Sequence, residues 1–431
     1  MSITAIIGGQ WGDEGKGRVV DLLSERANMV VRFSGGDNAG HTVINPSGEF
    51  RLHLVPSGIF RPQAACIIGN GVVINPAVLL EEIDELQRHG VDTSRLFISD
   101  RAHVIMPYHI LLDALEEESR GQKSLGTTRK GVGPAFVDKT ARMGIRTCDL
   151  LDKEVLRARL GSVLDHKNVI LTKVYGADPL SLENVYTQYC HYGERLAPFI
   201  KETELMMQEA LEKGELVLLE GAQGTMLDPD FGTYPYVTSS SPMIGGACLG
   251  LGLSPIEIQN IIGVFKTYTT RVGSGPMPTE LQDETGDLIR ERAGEYGSTT
   301  GRPRRCGWFD AVAARFSARI NGFTEAVLTR LDILDDFPSL KICVGYKLDG
   351  KSLDHFPSSV ATLERCEPVY EEMSGWQEST SHLRLFEELP PAARGYVERL
   401  EKLLSCPITL ISVGSRREQA IFRSELSSMA R

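Results

Sequence analysis

Short apolar runs recur along the chain, and most of them end in glycines or in charged residues. The first, Ile3-Thr4-Ala5-Ile6-Ile7, predicts a buried strand. Val19, Val20, Leu22 and Leu23 then fall on one face of a helix. Met29 to Phe33 predicts a second strand and Cys66 to Ile68 a third. Asn75 and Pro76 follow as N-cap and first residue of a helix whose inner face carries Val78, Leu79, Ile83 and Leu86 and which stops at Gly90. Residues 96–98 and 104–106 are further strand candidates, followed by a helix around 110–115. The stretch 126–146 reads as a basic loop. From 151 to 213 the pattern is helical and charged, without strong strands. Strands return at 216–219, 261–265, 326–328, 342–344 and 408–411. Several runs are apolar throughout, as strands covered on both faces must be. Their alternation with helices predicts an α/β fold: a large, mostly parallel central sheet covered by helices, P-loop-NTPase-like, with helical insertions. No repeat or linker interrupts it. The expected organisation is one α/β catalytic domain over 1–431, with a mainly helical insertion at roughly 151–213.

Composition narrows the function. A net charge of −11 over 431 residues argues against nucleic acid or an anionic membrane as partner. Any anionic ligand must therefore be held by local Arg and Lys clusters. Eight cysteines without a C-x-x-C pair point away from zinc and toward a reducing compartment. No signal segment is evident at the N-terminus, and no apolar stretch approaches the ~20 residues of a membrane span. A cytoplasmic location is expected.

The loop between the first strand and the first helix runs Gly8-Gly9-Gln10-Trp11-Gly12-Asp13-Glu14-Gly15-Lys16-Gly17-Arg18. A strand, glycine loop and helix in this order point backbone N–H groups at a phosphate. The Walker pattern fails at Gln10 and Gly17, and an acid, Asp13, stands inside the loop. A second glycine loop, Ser34 to Thr42, carries His41. Both loops follow strands, so Asp13 and His41 are expected at one sheet edge, as proton acceptor or Mg²⁺ ligand and as phosphoryl stabiliser. Thr329-Arg330-Leu331-Asp332 has the shape of a guanine signature: a carboxylate there accepts N1–H and N2–H of guanine, a donor pair that adenine lacks. Gly297 to Arg305 clusters three arginines among hydroxyls, suited to carboxylate or phosphate. Gly126 to Pro134, with Arg142 and Arg146, is a further oxyanion-friendly loop. The bland alternatives are an unliganded glycine turn, a helix cap and a solvated loop. Together these sites imply a nucleoside triphosphate, a second phosphorylated substrate and a carboxylate.

In their order these stretches, with Gly133-Pro134-Ala135, Glu220-Gly221-Ala222-Gln223-Gly224, Tyr236 to Ser240 and Ile411 to Gly414, resemble the adenylosuccinate synthetase family from Ile6 to about Phe422. The resemblance implies a ligase that joins IMP and L-aspartate through 6-phosphoryl-IMP, with GTP as co-substrate and one Mg²⁺ per subunit. It releases adenylosuccinate, GDP and phosphate, the committed step of AMP synthesis from IMP. It implies Asp13 and His41 as catalytic residues, and Asp13 with the Gly40 carbonyl as metal ligands. GTP would be held by Gly12, Asp13, Glu14, Gly15, Lys16, Gly17 and Arg18, by Gly40, His41 and Thr42, and by Arg304, Arg330, Leu331, Asp332, Ser412, Val413 and Gly414. IMP would meet Asp13, Glu14, Gly15, Lys16, Asn38, Ala39, Gly40 and His41, then Thr128, Gln223, Thr238 and Arg302, with Arg142 contributed across a homodimer interface. Aspartate falls to Ser298, Thr299, Thr300, Gly301, Arg302, Pro303 and Arg304.

The chain departs from the family pattern in four places. Arg330 and Arg18 stand where Lys is usual, the Asn-Thr after Ser239-Ser240 is missing, and Ser415-Arg416 replace Pro-Asp. None removes a proposed catalytic group. The alternative readings are a paralogue that uses another purine or amine donor, and a GTP-binding regulator without catalysis.

Overall fold

The computed structural model describes residues 2–38, 40–45, 48–297 and 301–423. Its centre is a ten-stranded sheet. In chain order the strands are β1 (Ser2–Gly8), β2 (Met29–Arg32), β3 (Ala65–Ile68), β4 (Leu96–Ser99), β5 (Ile200–Lys201), β6 (Leu216–Glu220), β7 (Ile258–Lys266), β8 (Glu325–Thr329), β9 (Ile408–Ser412) and β10 (Ala420–Phe422). In space they lie in the order β10-β9-β8-β7-β1-β6-β2-β3-β4-β5. All neighbours pair in parallel except β9 and β10. The expected parallel sheet is thus present.

Alternation along β1 accounts for burial on both faces. Ile6 packs with Val19, Val20 and Leu23 of helix α1 (Lys16–Leu23). Ile3, Ala5 and Ile7 face the opposite layer with Met207 and Leu251. Neither face can be opened to water without exposing apolar side chains of β1 and of the layer packed on it.

Four expectations change. The segment 126–146 is not all loop, because Val132–Ala141 is a helix. Gly133-Pro134 speaks against a helix in sequence, yet both fall in its first turn, where a missing N–H costs nothing. Residues 342–344 belong to Ser339–Leu348, which lies in a separate four-stranded sheet. Residues 104–106 are not a full strand: the short His103–Val104 pairs with Val73–Ile74 and bridges through His103 to Arg146, and Met106 caps the helix Pro107–Arg120. Asn75 is the N-cap of Pro76–Arg88, but its side chain makes no cap bond and donates to Asp37 Oδ2 instead. Within 151–213 the helices Lys153–Lys173, Leu182–Leu196 and Thr203–Glu212 appear, with the short edge strand β5 among them. Leu156, Leu160, Val163, Val185 and Tyr189 form a hydrophobic cluster there with Met106 and Tyr108.

Candidate active site

Because the strands are parallel, their C-terminal ends share one edge, and the glycine loops emerge there. The loop after β1 turns through left-handed backbone at Gly12 (φ 88°), Asp13 (φ 60°) and Gly15 (φ 89°). Gly15 is the N-cap of α1 and supplies no side-chain bond, which leaves the first N–H groups of the helix for a ligand.

Glu14 holds this loop in shape. Its fully buried carboxylate accepts the N–H of Gln10 at 3.0 Å and of Gly12 at 2.9 Å, and Lys16 Nζ donates to it at 2.7 Å. Gly8 and Gly224 make room for it: a Cβ at Gly224 would lie 2.5 Å from Glu14 Oε1 and 2.4 Å from the Gln10 carbonyl. Backbone cannot yield at that distance. Gly224→Ala is therefore expected to destabilise the protein by about 1–3 kcal/mol, seen as a lower urea midpoint, and to weaken nucleotide binding with it. An unchanged midpoint would show that the loop has slack.

A cavity of about 300 Å³ opens beside this loop, lined by Asp13, Gly15, Arg18, Lys266, Glu295, Arg304, Thr329, Arg330 and Gly414 among others. At one side Arg304 Nε lies 2.8 Å from Asp13 Oδ2, close but not aligned as a hydrogen bond. Arg304 Nη1 donates to Glu295 Oε2 at 2.7 Å. Glu295 Oε1 in turn accepts from Lys266 Nζ and from the Tyr268 hydroxyl, each at 2.6 Å. Burial works against the Glu295 carboxylate, but Lys266 and Arg304 outweigh it and hold its pKa down at about 2. Asp13 and Glu295 likewise outweigh the burial of Arg304 and hold its guanidinium charged. Lys266 and Glu295 did not emerge from the sequence. The one available signal was that Lys266 ends an apolar strand at the ligand edge.

At the other side the segment after β8 carries Arg330 in left-handed backbone (φ 66°), with its Nη2 on the Ala293 carbonyl at 2.7 Å. Asp332 Oδ1 is buried without a hydrogen-bond partner. Burial raises the Asp332 pKa, and the charges of Arg330 and Arg18 pull it back only in part. A buried carboxylate oxygen with no donor is costly unless a ligand supplies one. Leu331 and Val413 are buried core residues whose backbones shape this side. Ser412 donates to the Gly414 carbonyl at 2.9 Å.

A third group gathers beside the loop after β2. Gln223 Nε2 donates to Asn38 Oδ1 at 3.0 Å, Ser240 Oγ donates to Gln223 Oε1 at 3.3 Å, and Thr238 Oγ1 lies 3.5 Å from Ser240 Oγ. Thr128 belongs to the adjoining 126–131 segment, where Arg302 Nη1 comes within 3.9 Å of a Cβ built on Gly126. Gly301, Arg302 and Pro303 are exposed, and Gly297 N donates to the Arg302 carbonyl at 2.8 Å. Gly17 is buried within α1. Gly40 precedes the strand His41–Asn45, whose His41 and Thr42 pair with Leu52 and Arg51 of Gly48–Leu52. Arg142 is exposed at the C-terminus of Val132–Ala141 and is not among the residues lining the cavity. Ala39, Ser298, Thr299 and Thr300 lie outside the described residues. Among the described residues no group of three or more His, Cys, Asp or Glu could enclose a metal by itself. No helix among them is long and apolar enough to cross a membrane.

Comparison with known proteins gives this geometry a context. The model of the adenylosuccinate synthetase family matches residues 5–421. An adenylosuccinate synthetase of Dehalococcoides mccartyi is 60% identical over 423 residues, covering 98% of this chain and all of the relative. One from Desulfitobacterium hafniense is 53% identical over 426 residues, 99% of this chain and all of the relative. The solved structure of a fully ligated adenylosuccinate synthetase from Plasmodium falciparum superimposes with a TM-score of 0.93 at 38% identity, covering 98% of this chain and all of the other.

Proposed function

The chain belongs to the adenylosuccinate synthetase family, and from that premise we propose that the edge cavity carries out the GTP-dependent ligation of IMP and L-aspartate. The observation that carries the nucleotide assignment is the buried, unpartnered Oδ1 of Asp332. Asp332 is not itself a lining residue, but Arg18 and Arg330, whose charges act on it, both line the cavity. Guanine offers N1–H and N2–H to that carboxylate. The loop N–H groups at the start of α1 take phosphate oxygens, aided by the dipole of the helix.

Asp13, exposed to the cavity, takes the N1 proton of IMP. The O6 oxyanion so formed attacks the γ-phosphorus of GTP and expels GDP. The amine of aspartate then displaces phosphate from C6, which gives adenylosuccinate. His41 stabilises the phosphoryl group in transfer. Asn38, Gln223, Thr238 and Thr128 orient the purine nucleotide. Arg302 and Arg304 bind the carboxylates of aspartate from the 298–304 segment, with Arg304 anchored by Glu295. Mg²⁺ suits the all-oxygen donors on offer, the Asp13 carboxylate and the Gly40 carbonyl, since this ion keeps waters and substrate phosphates in its remaining positions. When bound it offsets the charge of the phosphates.

The whole chain acts as one catalytic unit, with 151–213 as a mainly helical insertion whose apolar cluster is shared with Val104, Met106, Tyr108 and Ile145 of the preceding segments. Eight unpaired cysteines suit a cytoplasmic enzyme. A regulator without catalysis has no use for an arginine pair aimed at a carboxylate substrate, and that reading is not retained. The direct test is purified protein with IMP, aspartate, GTP and Mg²⁺, followed by chromatography. Adenylosuccinate and GDP in equal amounts are expected, and their absence would defeat the proposal.

Arg142 completes the IMP site of the partner in a homodimer. Mixing an inactive Arg142→Leu variant with inactive Asp13→Asn is expected to restore up to about a quarter of the activity, because one hybrid site in each mixed dimer carries both wild-type residues. No recovery after subunit exchange would place Arg142 outside the shared site.

A further inference from the structure

Arg18 lies three residues beyond the N-cap of α1, in a helix that starts at the phosphate loop, so proximity alone would assign its charge to a phosphate. Its donors are committed elsewhere. Nη1 donates to the Ser412 hydroxyl and to the Gly414 carbonyl, and Nη2 to the carbonyls of Arg416 and, at 3.0 Å, Gln419. One planar fork thus closes on four acceptors of a single loop. The loop is folded around the same point: Gln419 Oε1 accepts from Arg416 N at 2.9 Å, and its side chain fills the space a Cβ on Gly414 would need. On the far side Gln419 Nε2 donates to the Ser381 carbonyl at 3.1 Å. Neighbouring Thr380 is bound through N and Oγ1 to Asp335, three residues after Asp332. The loop from Ser412 to Gln419 and the segment that carries Asp332 therefore belong to one hydrogen-bonded frame, and Arg18 joins that frame to α1.

We propose that Arg18 is a positioning residue for the guanine base, which acts by fixing the 412–419 loop against Asp332 and not by carrying charge to the phosphates. The proposal rests on the assignment of GTP to this cavity. A lysine at 18 keeps the charge but lacks the fork, with its two NH₂ groups set to reach separate carbonyls. Burial already lowers the Arg18 pKa to about 10, so the site spends solvation to keep this group in place.

The test is steady-state kinetics of Arg18→Lys and Arg18→Ala with GTP and with inosine triphosphate, which lacks the 2-amino donor to Asp332. Both variants are expected to raise KM for GTP about tenfold, a change of about 1.4 kcal/mol. KM for inosine triphosphate should rise much less, so the preference for GTP narrows, while KM for IMP and the circular dichroism spectrum stay as in the wild type. Three results would overturn the proposal: wild-type KM values in Arg18→Lys with impairment only in Arg18→Ala, which is the signature of charge; equal rises for both nucleotides; or no change in either variant. A wild-type protein that turns over neither nucleotide would instead defeat the GTP assignment itself.

Discussion

Asp13→Asn is expected to keep the fold and lower kcat roughly 10³-fold, the scale of losing a general base. Asparagine tolerates the left-handed backbone that residue 13 adopts (φ 60°), so the loop is not strained by the change. Arg304 retains Glu295 as a partner at 2.7 Å, and the buried network behind it is untouched. The amide is as large as the carboxylate and still accepts a hydrogen bond, yet it cannot hold the N1 proton of IMP. The check is kcat under saturating substrates, with a thermal midpoint close to wild type as evidence of folding. Near-normal turnover would remove Asp13 as the base.

Asp332→Asn should strike nucleotide use almost as hard. Two hydrogen bonds from guanine to a charged acceptor are lost, and an NH₂ group is turned toward N–H donors. With each such bond worth about 1.5–3 kcal/mol, kcat/KM for GTP is expected to fall roughly 10²–10⁴-fold. The same residue sets a pH dependence. Its folded pKa is raised by burial, so as pH falls it takes up a proton before an ordinary carboxylate does. The protonated form cannot accept both guanine donors, and kcat/KM for GTP should decline on the acid side from a pH above the usual carboxylate range. That acid limb should disappear in Asp332→Asn. A wild-type limb that persists unchanged in the variant would assign it to another group.

The parts of the site that were legible in the sequence are those encoded locally. The β1 loop and the Arg330–Asp332 segment each follow an apolar strand directly, and parallel strands bring their C-terminal ends to one edge without further information. Glu295 and Lys266 were not legible because their meaning lies in pairing across 29 residues: a buried ion pair leaves no periodic trace. The hairpin His41–Asn45 with Gly48–Leu52 was missed for a different reason. Among its described side chains only Val43, Phe50 and Leu52 are buried, too few to mark an alternating strand. The strand Glu367–Ser374 lies half-exposed beside Ser339–Leu348, and its few apolar residues, Val369, Tyr370 and Met373, do not alternate with polar ones as a strand pattern would require. Arg18 shows the limit of reading a loop by its neighbours in sequence. Its partners are nearly four hundred residues away, in a loop whose own composition gives no sign of them.

In the proposed reaction the purine oxygen itself attacks GTP, drawn out by Asp13. IMP labelled with oxygen-18 at O6 tests it most directly. The label is expected to leave the purine and to appear in the released inorganic phosphate, one atom per adenylosuccinate formed. Phosphate free of label, with its new oxygen drawn from water, would contradict it.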